Sequence, residues 1–425
     1  MLHEQRPLRV CIDARLISGT SGGVEQVIIG LASALSKLDD GDEEYLFLAY
    51  EGEDAWLKPL VGGACRMFYS PAATLHPGWA RSLKNFPKVR VALRKLLSLL
   101  RKRSPQLLTL PRSDGTLESN GVEVMHFTLQ SAFLTDVPSI YQPHDLQHAH
   151  LPEFFTAEQR ALRDFTYRAF CEQARMVVAM TSWGKRDLIE HFNLPEDKVR
   201  IVPWAPVIHA YASPTQDDLA AAQLKFRLPC DFVFYPAQTW PHKNHIKLLE
   251  AIALLRDRHG LIVSLVASGH RNDFYTHIEQ RARELKLTDQ VRFPGFVTPL
   301  ELQCLYKLCR GVVFPSKFEG WGMPLTEAFL AGAPVACSNA TSLPDLVADA
   351  GLIFNPDDVE EMADAIRRLW TNEALRQTLV GRGRKRVALF SWDHTARLFR
   401  AHYRRTANRP LTGEDRAILA APPLL

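Results

Sequence analysis

Hydrophobic residues in this chain fall into two recurring patterns. Short apolar runs such as Leu8 to Ala14, Val122 to Phe127 and Met176 to Thr181 predict buried strands. The segments between them carry apolar residues at helical spacing, the first set being Val24, Val27, Ile28, Leu31, Leu35 and Leu38. Strands that alternate with helices predict parallel sheets covered by helices on both faces.

The same alternation starts again in the second half of the chain. Apolar runs occur at Phe232 to Tyr235, Leu261 to Ser268, Gly311 to Phe314, Pro334 to Cys337 and Ala350 to Phe354. Pro203, Pro206 and Pro214 lie in a stretch of little periodicity that predicts a linker. We therefore predict an α/β fold of two Rossmann-like, doubly wound domains that face a cleft, covering residues 1–205 and 206–390.

Charge and cysteine content exclude several classes of protein. The net charge is only +4, which does not indicate a nucleic-acid-binding protein. The seven cysteines are scattered without a C-x-x-C pair, so neither a disulfide framework nor a zinc site is predicted. The chain has no long apolar run and no secretory leader pattern, and we expect a cytoplasmic protein.

One stretch, Phe314 to Pro334, combines a strand, a glycine-bearing loop and a helix. Gly320 and Gly322 allow a close approach of the backbone to a ligand, and Pro324 is placed at the first turn of the helix. The positive end of the helix dipole faces the same space, which favours an anion such as a phosphate.

Glu319 and Glu327 lie eight positions apart in this stretch. Carboxylates beside a helix start accept hydrogen bonds from hydroxyl groups, which predicts a site for a phosphorylated, polyhydroxylated molecule. The alternative is that Glu327 is an ordinary first-turn glutamate and Glu319 an exposed loop residue.

The segment FEGWGMPLTEA resembles the E-x7-E segment of the family 4 retaining glycosyltransferases, which have the two-domain GT-B fold and use nucleotide diphosphate sugars. The resemblance implies that Glu319 contacts the transferred sugar and Glu327 the ribose. It also places the intervening loop against the sugar and the diphosphate, through Gly320, Trp321, Gly322, Met323, Pro324 and Leu325.

Lys243 is predicted at a strand-to-helix loop, where a lysine supplies a point charge for a diphosphate. The resemblance assigns it that role. Family members usually carry an arginine in the same loop, which this chain lacks, so Gln238 or His242 is expected to serve instead. The variant P-A-Q-x-W-P-H-K-N is similar to that of bacterial mannosyl- or rhamnosyl-type polysaccharide enzymes.

Three further segments are placed at the cleft by the same resemblance. Ser268-Gly269 is expected to approach the nucleotide, Phe296-Val297 to hold the base, and Gly22-Gly23 to lie near the donor phosphates. For the two glycines, a tight turn without a ligand is the alternative. Leu343-Pro344-Asp345 stands where the family most often has Pro-Glu.

Several histidines are grouped in the segment QPHDLQHAH. The resemblance places His144 near the transferred sugar and Asp145 beside it as an orienting or acceptor-side group. His-x-x-x-His spacing also suits a metal, but no distal ligand grouping is evident in the sequence, and we predict no metal site. Asp40-Gly41-Asp42 matches the D-x-D metal signature but is interpreted as part of a solvated turn.

Basic residues and leucines interleave over residues 81–103, the composition of a helix lying on an anionic membrane surface. A surface helix docked on its own domain is the alternative. The resemblance further predicts that residues 391–425 form a helix that crosses back to the first domain, followed by a tail that frays after Ala407.

The predicted function is the transfer of a hexose, with mannose favoured, during the synthesis of a cell-surface polysaccharide such as lipopolysaccharide. The transfer is predicted to retain the anomeric configuration and to need no metal. The donor is a nucleotide diphosphate sugar, the acceptor is a saccharide or lipid-linked saccharide, and no cofactor is expected. Contact with the inner membrane through residues 81–103 is a further prediction. The alternatives are a catalytically silent nucleotide-sugar-binding partner and an epimerase of the same fold.

Overall fold

Seven parallel strands form the first sheet of the computed structural model, which describes residues 6–17, 23–70, 109–207 and 213–425. Their spatial order is β3-β2-β1-β4-β5-β6-β7. The strands are β1 Leu8–Asp13, β2 Glu43–Tyr50, β3 Cys65–Ser70, β4 Val124–Phe127, β5 Ser139–Tyr141, β6 Met176–Ala179 and β7 Val199–Ile201.

Six parallel strands form the second sheet, in the order β10-β9-β8-β11-β12-β13. They are β8 Val233–Pro236, β9 Leu265–Ser268, β10 Val291–Gly295, β11 Gly311–Phe314, β12 Val335–Ser338 and β13 Gly351–Phe354. Both sheets therefore have the doubly wound Rossmann order, and the predicted fold class is confirmed.

Helices connect the strands in both sheets. In chain order within the described ranges they are α1 Gly23–Leu35, α2 Thr116–Ser119, α3 Gln147–His150, α4 Ala157–Gln173, α5 Ser182–Phe192, α6 Gln216–Phe226, α7 His245–His259, α8 Tyr275–Glu284, α9 Pro299–Leu308, α10 Met323–Ala331, α11 Leu343–Val347, α12 Val359–Thr371, α13 Glu373–Val387, α14 Trp392–Thr406 and α15 Gly413–Ala420. None of the described helices is long and apolar enough to cross a bilayer.

The first sheet is buried on both faces. Val10 and Ile12 of β1 belong to one apolar cluster, whereas Cys11 between them belongs to the cluster on the opposite face. Successive side chains of a strand point to opposite faces, so burial on both sides requires an uninterrupted apolar run. This explains why the strands read as continuous hydrophobic segments in the sequence.

Strand order reverses once in each sheet. β1 pairs with both β2 and β4, and β8 pairs with both β9 and β11. The loops after such neighbouring strands diverge to opposite faces of the sheet and leave a crevice at the carboxyl ends, where open α/β sheets bind ligands. Loops after β1, β4, β8 and β11 are therefore the places to look for a site.

The last long helix, α14, packs on the first domain. Arg404 lies between two buried carboxylates, with Nε 2.6 Å from Glu43 and Nη1 2.7 Å from Asp415. Thr395 Oγ1 donates to the carbonyl of Pro203, and Tyr403 Oη lies 2.8 Å from His126 Nδ1. These contacts bind the end of the chain to the sheet formed by its beginning.

One expectation about a polar segment is wrong. The tail after Ala407 is ordered, because helix α15 carries Asp415, whose side chain is buried against Arg404. The acidic run containing Asp40-Gly41-Asp42 is exposed, as predicted for a solvated turn, but it also makes ion pairs. Asp40 is bound by Arg397 and Arg400, and the run ends in the buried Glu43. Ion pairs across hundreds of residues are invisible to local composition.

Buried histidines make the stability of this fold dependent on pH. Burial lowers the pKa of His126 to about 3, and that of His245 and His402 to about 3 as well. An unfolded imidazole takes up a proton below about pH 6.5, whereas these folded ones do so only near pH 3. We expect the free energy of unfolding to be unaffected by these groups above pH 6.5 and to fall as the pH drops toward 3.

Replacement of His126 tests this directly. His126→Asn retains a partner for Tyr403 and should reduce the slope of unfolding free energy against pH by about 1.4 kcal/mol per pH unit between pH 4 and 6. Urea titrations at several pH values measure the slope. His259→Asn, on the exposed end of α7, is the control. An unchanged slope in His126→Asn would contradict the assignment.

Candidate active site

Lys243 and Glu319 meet at the point where the second sheet reverses its strand order. Lys243 follows β8 and Glu319 follows β11, and their Nζ and Oε1 atoms lie 2.5 Å apart. The side chain of Lys243 is 18% exposed and that of Glu319 is 13% exposed. A largely buried ion pair therefore stands where α/β sheets bind their ligands.

The two loops that carry this pair are tied together through their backbones. The Lys317 N–H donates to the carbonyl of His242 at 2.8 Å, and Tyr235 Oη donates to the carbonyl of Lys243 at 2.6 Å. Asn244, in the left-handed conformation before α7, donates its amide to the carbonyl of Pro315 at 3.1 Å. The position of Lys243 is thus set by the fold and does not depend on Glu319 alone.

Thr341 and Ser342 hold the Glu319 backbone, a role that sequence reasoning missed. The Glu319 N–H donates to Thr341 Oγ1 at 3.0 Å, and both hydroxyls lie 2.8 Å from the Glu319 carbonyl. The signal that was available is the pair of hydroxyl residues directly before the Leu343-Pro344 helix start. Their partner lies 22 and 23 residues away, beyond any local pattern.

Helix α10 begins just after this loop. Gly322 caps it with φ +102°, a left-handed conformation in which a Cβ would also lie 2.7 Å from Leu343. Pro324 lies in the first turn, as predicted. The side chains of Trp321, Met323 and Leu325 are buried in the core, so only their backbones are available to a ligand. The N–H of Leu325 already donates to the carbonyl of Gly322 at 2.9 Å.

Glu327 lies on α10 and is held by a phenol. Tyr306 Oη of α9 donates to Glu327 Oε2 at 2.8 Å. Burial raises the pKa of Glu327, and the hydrogen bond from Tyr306 opposes that shift. The carboxylate therefore has a fixed direction and retains a second oxygen for another donor.

The second-domain loop touches the first domain at Gly320. A Cβ built on Gly320 would lie 2.6 Å from the carbonyl oxygen of His144 and 3.3 Å from the Cβ of Asp145. Gly320 thus allows the Glu319 loop to contact the His144-Asp145 segment. A side chain at position 320 would hold the two segments farther apart. The structure brings Lys243, Glu319, His144 and Asp145 together between the two sheets.

His144 is held in a strained and neutral state. Its φ is +69°, and its Nε2–H donates to the Thr128 carbonyl at 2.7 Å. Its ring meets Trp204 edge to face at 5.5 Å. Burial lowers the pKa of His144 to about 4, so the ring is uncharged at neutral pH. A non-glycine residue at positive φ is costly and is frequent at functional sites.

Asp145 lies within the electrostatic field of the pair. Burial raises the pKa of its carboxyl, while the charges of Glu319 and Lys243 act on it in opposite directions. Its Oδ1 accepts the N–H of Gln147 at the start of α3. The cleft therefore combines one cation with three carboxyl groups when Glu327 is included.

The remaining predicted positions follow β8, β9 and β10 along one edge of the second sheet. Gly269 has φ +144° and its N–H donates to the Gly295 carbonyl, while a Cβ there would lie 2.2 Å from the carbonyl of Ala237. Ser268 and Val297 are buried, whereas 65% of Phe296 is exposed. The Gln238 side-chain oxygen accepts from Trp240 Nε1 at 2.8 Å.

The first sheet contributes two further features. Gly23 opens α1 with free space where a Cβ would stand, and Gly22 lies outside the described residues. Asp13, at the end of β1, is fully buried and bound by Arg15 at 2.7 Å. Sequence reasoning missed this pair, although two charged residues directly after a buried strand at a sheet switch point are a usable signal.

Residues 81–103 also lie outside the described residues, so contact of that segment with a membrane remains a prediction.

Two family descriptions cover most of the chain. "Glycosyltransferase Family 4" matches residues 21–205, and "Glycosyl transferases group 1" matches residues 218–386. Each match corresponds to one of the two sheets with its helices. The chain belongs to the family 4 glycosyltransferases. Its two parallel sheets are the two halves of the GT-B fold.

Similar proteins agree with this membership. This family 4 glycosyltransferase is 28% identical over 272 residues to O-antigen chain mannosyltransferase B of Escherichia coli, covering 60% of this chain and 70% of that protein. It is 29% identical over 260 residues to the serotype-specific mannosyltransferase WbdA of E. coli, covering 57% of this chain but only 31% of WbdA.

A solved structure shows the same fold. Anabaena HepE, determined in complex with UDP and glucose, matches with a TM-score of 0.67 at 16% identity, covering 93% of this chain and 99% of that one.

Proposed function

We propose that this family 4 glycosyltransferase moves a hexose, with mannose favoured, from a nucleotide diphosphate sugar to a hydroxyl of a saccharide or lipid-linked saccharide. The product would be a cell-surface polysaccharide made on the cytoplasmic side. The observation that carries the proposal is the Lys243–Glu319 pair at the switch point of the second sheet, facing His144 and Asp145 of the first domain. The names of the mannosyltransferase relatives support the choice of sugar and product.

Donor binding would begin with an exchange of partners at Lys243. In the structure its ammonium group is neutralised by Glu319. A diphosphate carries more charge than one carboxylate and can displace Glu319 from the ammonium group. Glu319 is then free to accept hydrogen bonds from hydroxyl groups of the sugar.

In the proposed reaction, the bond between the anomeric carbon and the phosphate oxygen breaks. The acceptor oxygen forms its new bond on the same face of the sugar, which retains the anomeric configuration. The acceptor proton passes to the departing phosphate oxygen. Lys243 and the backbone N–H groups ahead of α10 stabilise the charge that develops on this leaving group. His144, neutral at physiological pH, orients the sugar from the opposite domain.

We further propose that charge neutralisation does not require a metal ion. The D-x-D match at Asp40 to Asp42 is not free to hold one, since Asp40 is bound by Arg397 and Arg400. In the cleft, the cation next to the carboxylate of Glu319 is Lys243. The usual second cation of this loop is absent, and Gln238 or His242 would take its place as a hydrogen-bonding group.

Glu327 is assigned to the ribose. We expect Glu327→Ala to weaken donor binding about tenfold, because a charged hydrogen bond to a hydroxyl contributes about 1.5 kcal/mol. Isothermal titration with the donor that gives the largest thermal shift among GDP-mannose, UDP-glucose and dTDP-rhamnose measures the affinity. Glu284→Ala, on the exposed face of α8, is the matched control. Equal donor affinity in Glu327→Ala and the control would refute the ribose assignment.

Two alternative functions predict different results when the same purified protein is incubated with the donor. A silent nucleotide-sugar-binding partner would bind the donor without turnover, and an epimerase would convert the donor with no acceptor present. Release of nucleoside diphosphate that depends on a mannose-bearing acceptor distinguishes the proposed transferase from both. Release without acceptor dependence would count against transfer.

A further inference from the structure

Three metal-ligating side chains converge on the first domain behind the cleft. They are His148 of α3, Asp164 of α4 and His191 of α5, and one ligand atom of each lies within 4.8 Å of the other two. They come from three different helices, so no local sequence pattern joins them. None of the three has a role in the proposed transfer reaction.

His148 is a buried histidine whose hydrogen-bonding capacity is unsatisfied within the described part of the chain. Only 2% of it is exposed, and neither of its ring nitrogens has a hydrogen-bond partner among the described residues. A buried polar group without a partner costs about 1–3 kcal/mol. Because neither ring nitrogen is engaged, the imidazole has a lone pair available for a metal ion.

His191 and Asp164 supply the open side of the cluster. His191 Nε2 lies 2.8 Å from Asp164 Oδ1, and 31% and 43% of the two side chains is exposed. A metal ion can therefore reach the cluster from solvent on this side. The partly exposed side chains have room to rotate, whereas His148 is fixed by its surroundings.

Charged side chains of both signs surround the cluster. Arg163 stacks over Phe155, and Arg168 lies 3.9 Å from Asp164 Oδ2. His150 is paired with Asp187 at 2.6 Å, so it has a partner and is not part of the set.

We propose that His148, Asp164 and His191 form a binding site for Zn²⁺. Two imidazoles and one carboxylate are ligands that zinc favours, with bonds of about 2.0–2.2 Å and a water molecule in the fourth position. Tetrahedral bonds of that length bring ligand atoms to about 3.4 Å from one another, so the three groups close in when the ion binds.

The site has a structural consequence for the cleft. Helix α3 starts at Gln147, directly after His144-Asp145. A metal that links α3 to α4 and α5 would fasten the segment that faces Gly320 and Glu319. Its role is to position that segment, and the transfer chemistry itself does not pass through it.

Metal titration of the purified full-length protein tests the proposal without any donor. We expect one Zn²⁺ per chain by competition with a chromophoric chelator, and a rise in melting temperature on zinc addition. His191→Asn and Asp164→Asn should weaken zinc binding at least about tenfold and lose the thermal effect. These partly exposed positions tolerate the change more readily than His148→Ala, which is the third variant.

Two controls accompany this titration. The His150→Asn variant lacks the neighbouring histidine outside the cluster and should bind zinc like the parent.

Cobalt substitution reports the type of ligand. A site of nitrogen and oxygen ligands gives visible d–d bands without the thiolate charge-transfer band that the exposed Cys230 would produce. The proposal is overturned if the parent chain binds no zinc, if Asp164→Asn binds zinc as tightly as the parent, or if the cobalt form shows the thiolate band. A parent chain that binds zinc but has no transfer activity would count against the proposed function only.

Discussion

Lys243→Met is expected to lower the turnover of glycosyl transfer by about 10²–10³-fold, the usual cost of removing one group that stabilises developing charge. The ammonium group lies 2.5 Å from Glu319 in a largely buried position, so no bulk-solvent ion can replace it efficiently. Methionine retains the length and apolar stem of the side chain. Steady-state kinetics at saturating acceptor measure kcat and KM for the donor.

A matched lysine on α7, the helix that follows the Lys243 loop, separates this effect from general charge loss. Lys247 lies on α7, is 37% exposed and pairs with Glu250. Lys247→Met should keep turnover within about twofold, since exposed ion pairs contribute at most about 1 kcal/mol to stability. Equal turnover in Lys243→Met and Lys247→Met would refute the role of Lys243.

Removal of one partner of a buried ion pair also destabilises the fold, so a loss of turnover in Lys243→Met alone could reflect lost stability. The double variant Lys243→Met with Glu319→Gln removes both charges and should recover thermal stability without recovering turnover. Recovery of both would show that the loss in Lys243→Met was structural.

Glu319→Ala is expected to lower kcat by about 10²-fold while leaving donor affinity unchanged or slightly improved. The reason is the ion pair between Lys243 and Glu319: without Glu319, Lys243 no longer has to exchange a carboxylate for the diphosphate. This is the opposite of the behaviour expected for Glu327→Ala, which weakens donor binding. Titration of donor and measurement of kcat on the same preparations give both numbers.

The loop that carries Glu319 offers a control for local disruption. Thr341→Val removes the hydroxyl that bonds the Glu319 backbone but leaves the carboxylate in place. We expect its loss of turnover to be at most about thirtyfold, smaller than that of Glu319→Ala, because the hydroxyl makes two neutral hydrogen bonds of about 1 kcal/mol each. A larger loss in Thr341→Val than in Glu319→Ala would indicate that loop geometry, and not the carboxylate, carries the effect.

Several interpretations of the sequence were limited by distance along the chain. The composition after Ala407 predicts a frayed tail, whereas Asp415 in that tail is buried against Arg404. The acidic run at Asp40 is exposed as predicted, but its ion pair with Arg400 could not be predicted from composition. Likewise, the histidines after β5 showed no distal metal ligands in the sequence, although Asp164 and His191 lie beside His148 in space.

The sequence by itself determined the alternation of buried strands and helices, and with it the two doubly wound sheets. It also determined that Lys243 and Glu319 stand just before helix starts, because glycine, proline and apolar spacing act over a few residues. Glu327, interpreted as a first-turn residue, lies beyond the first turn of α10. Only the tertiary structure decided which of these loops meet. Strand order places β8 beside β11, and the absence of a Cβ at Gly320 allows the second domain to touch His144. Contacts between residues 76 or more apart depend on how whole sheets and domains pack, and no local pattern encodes them.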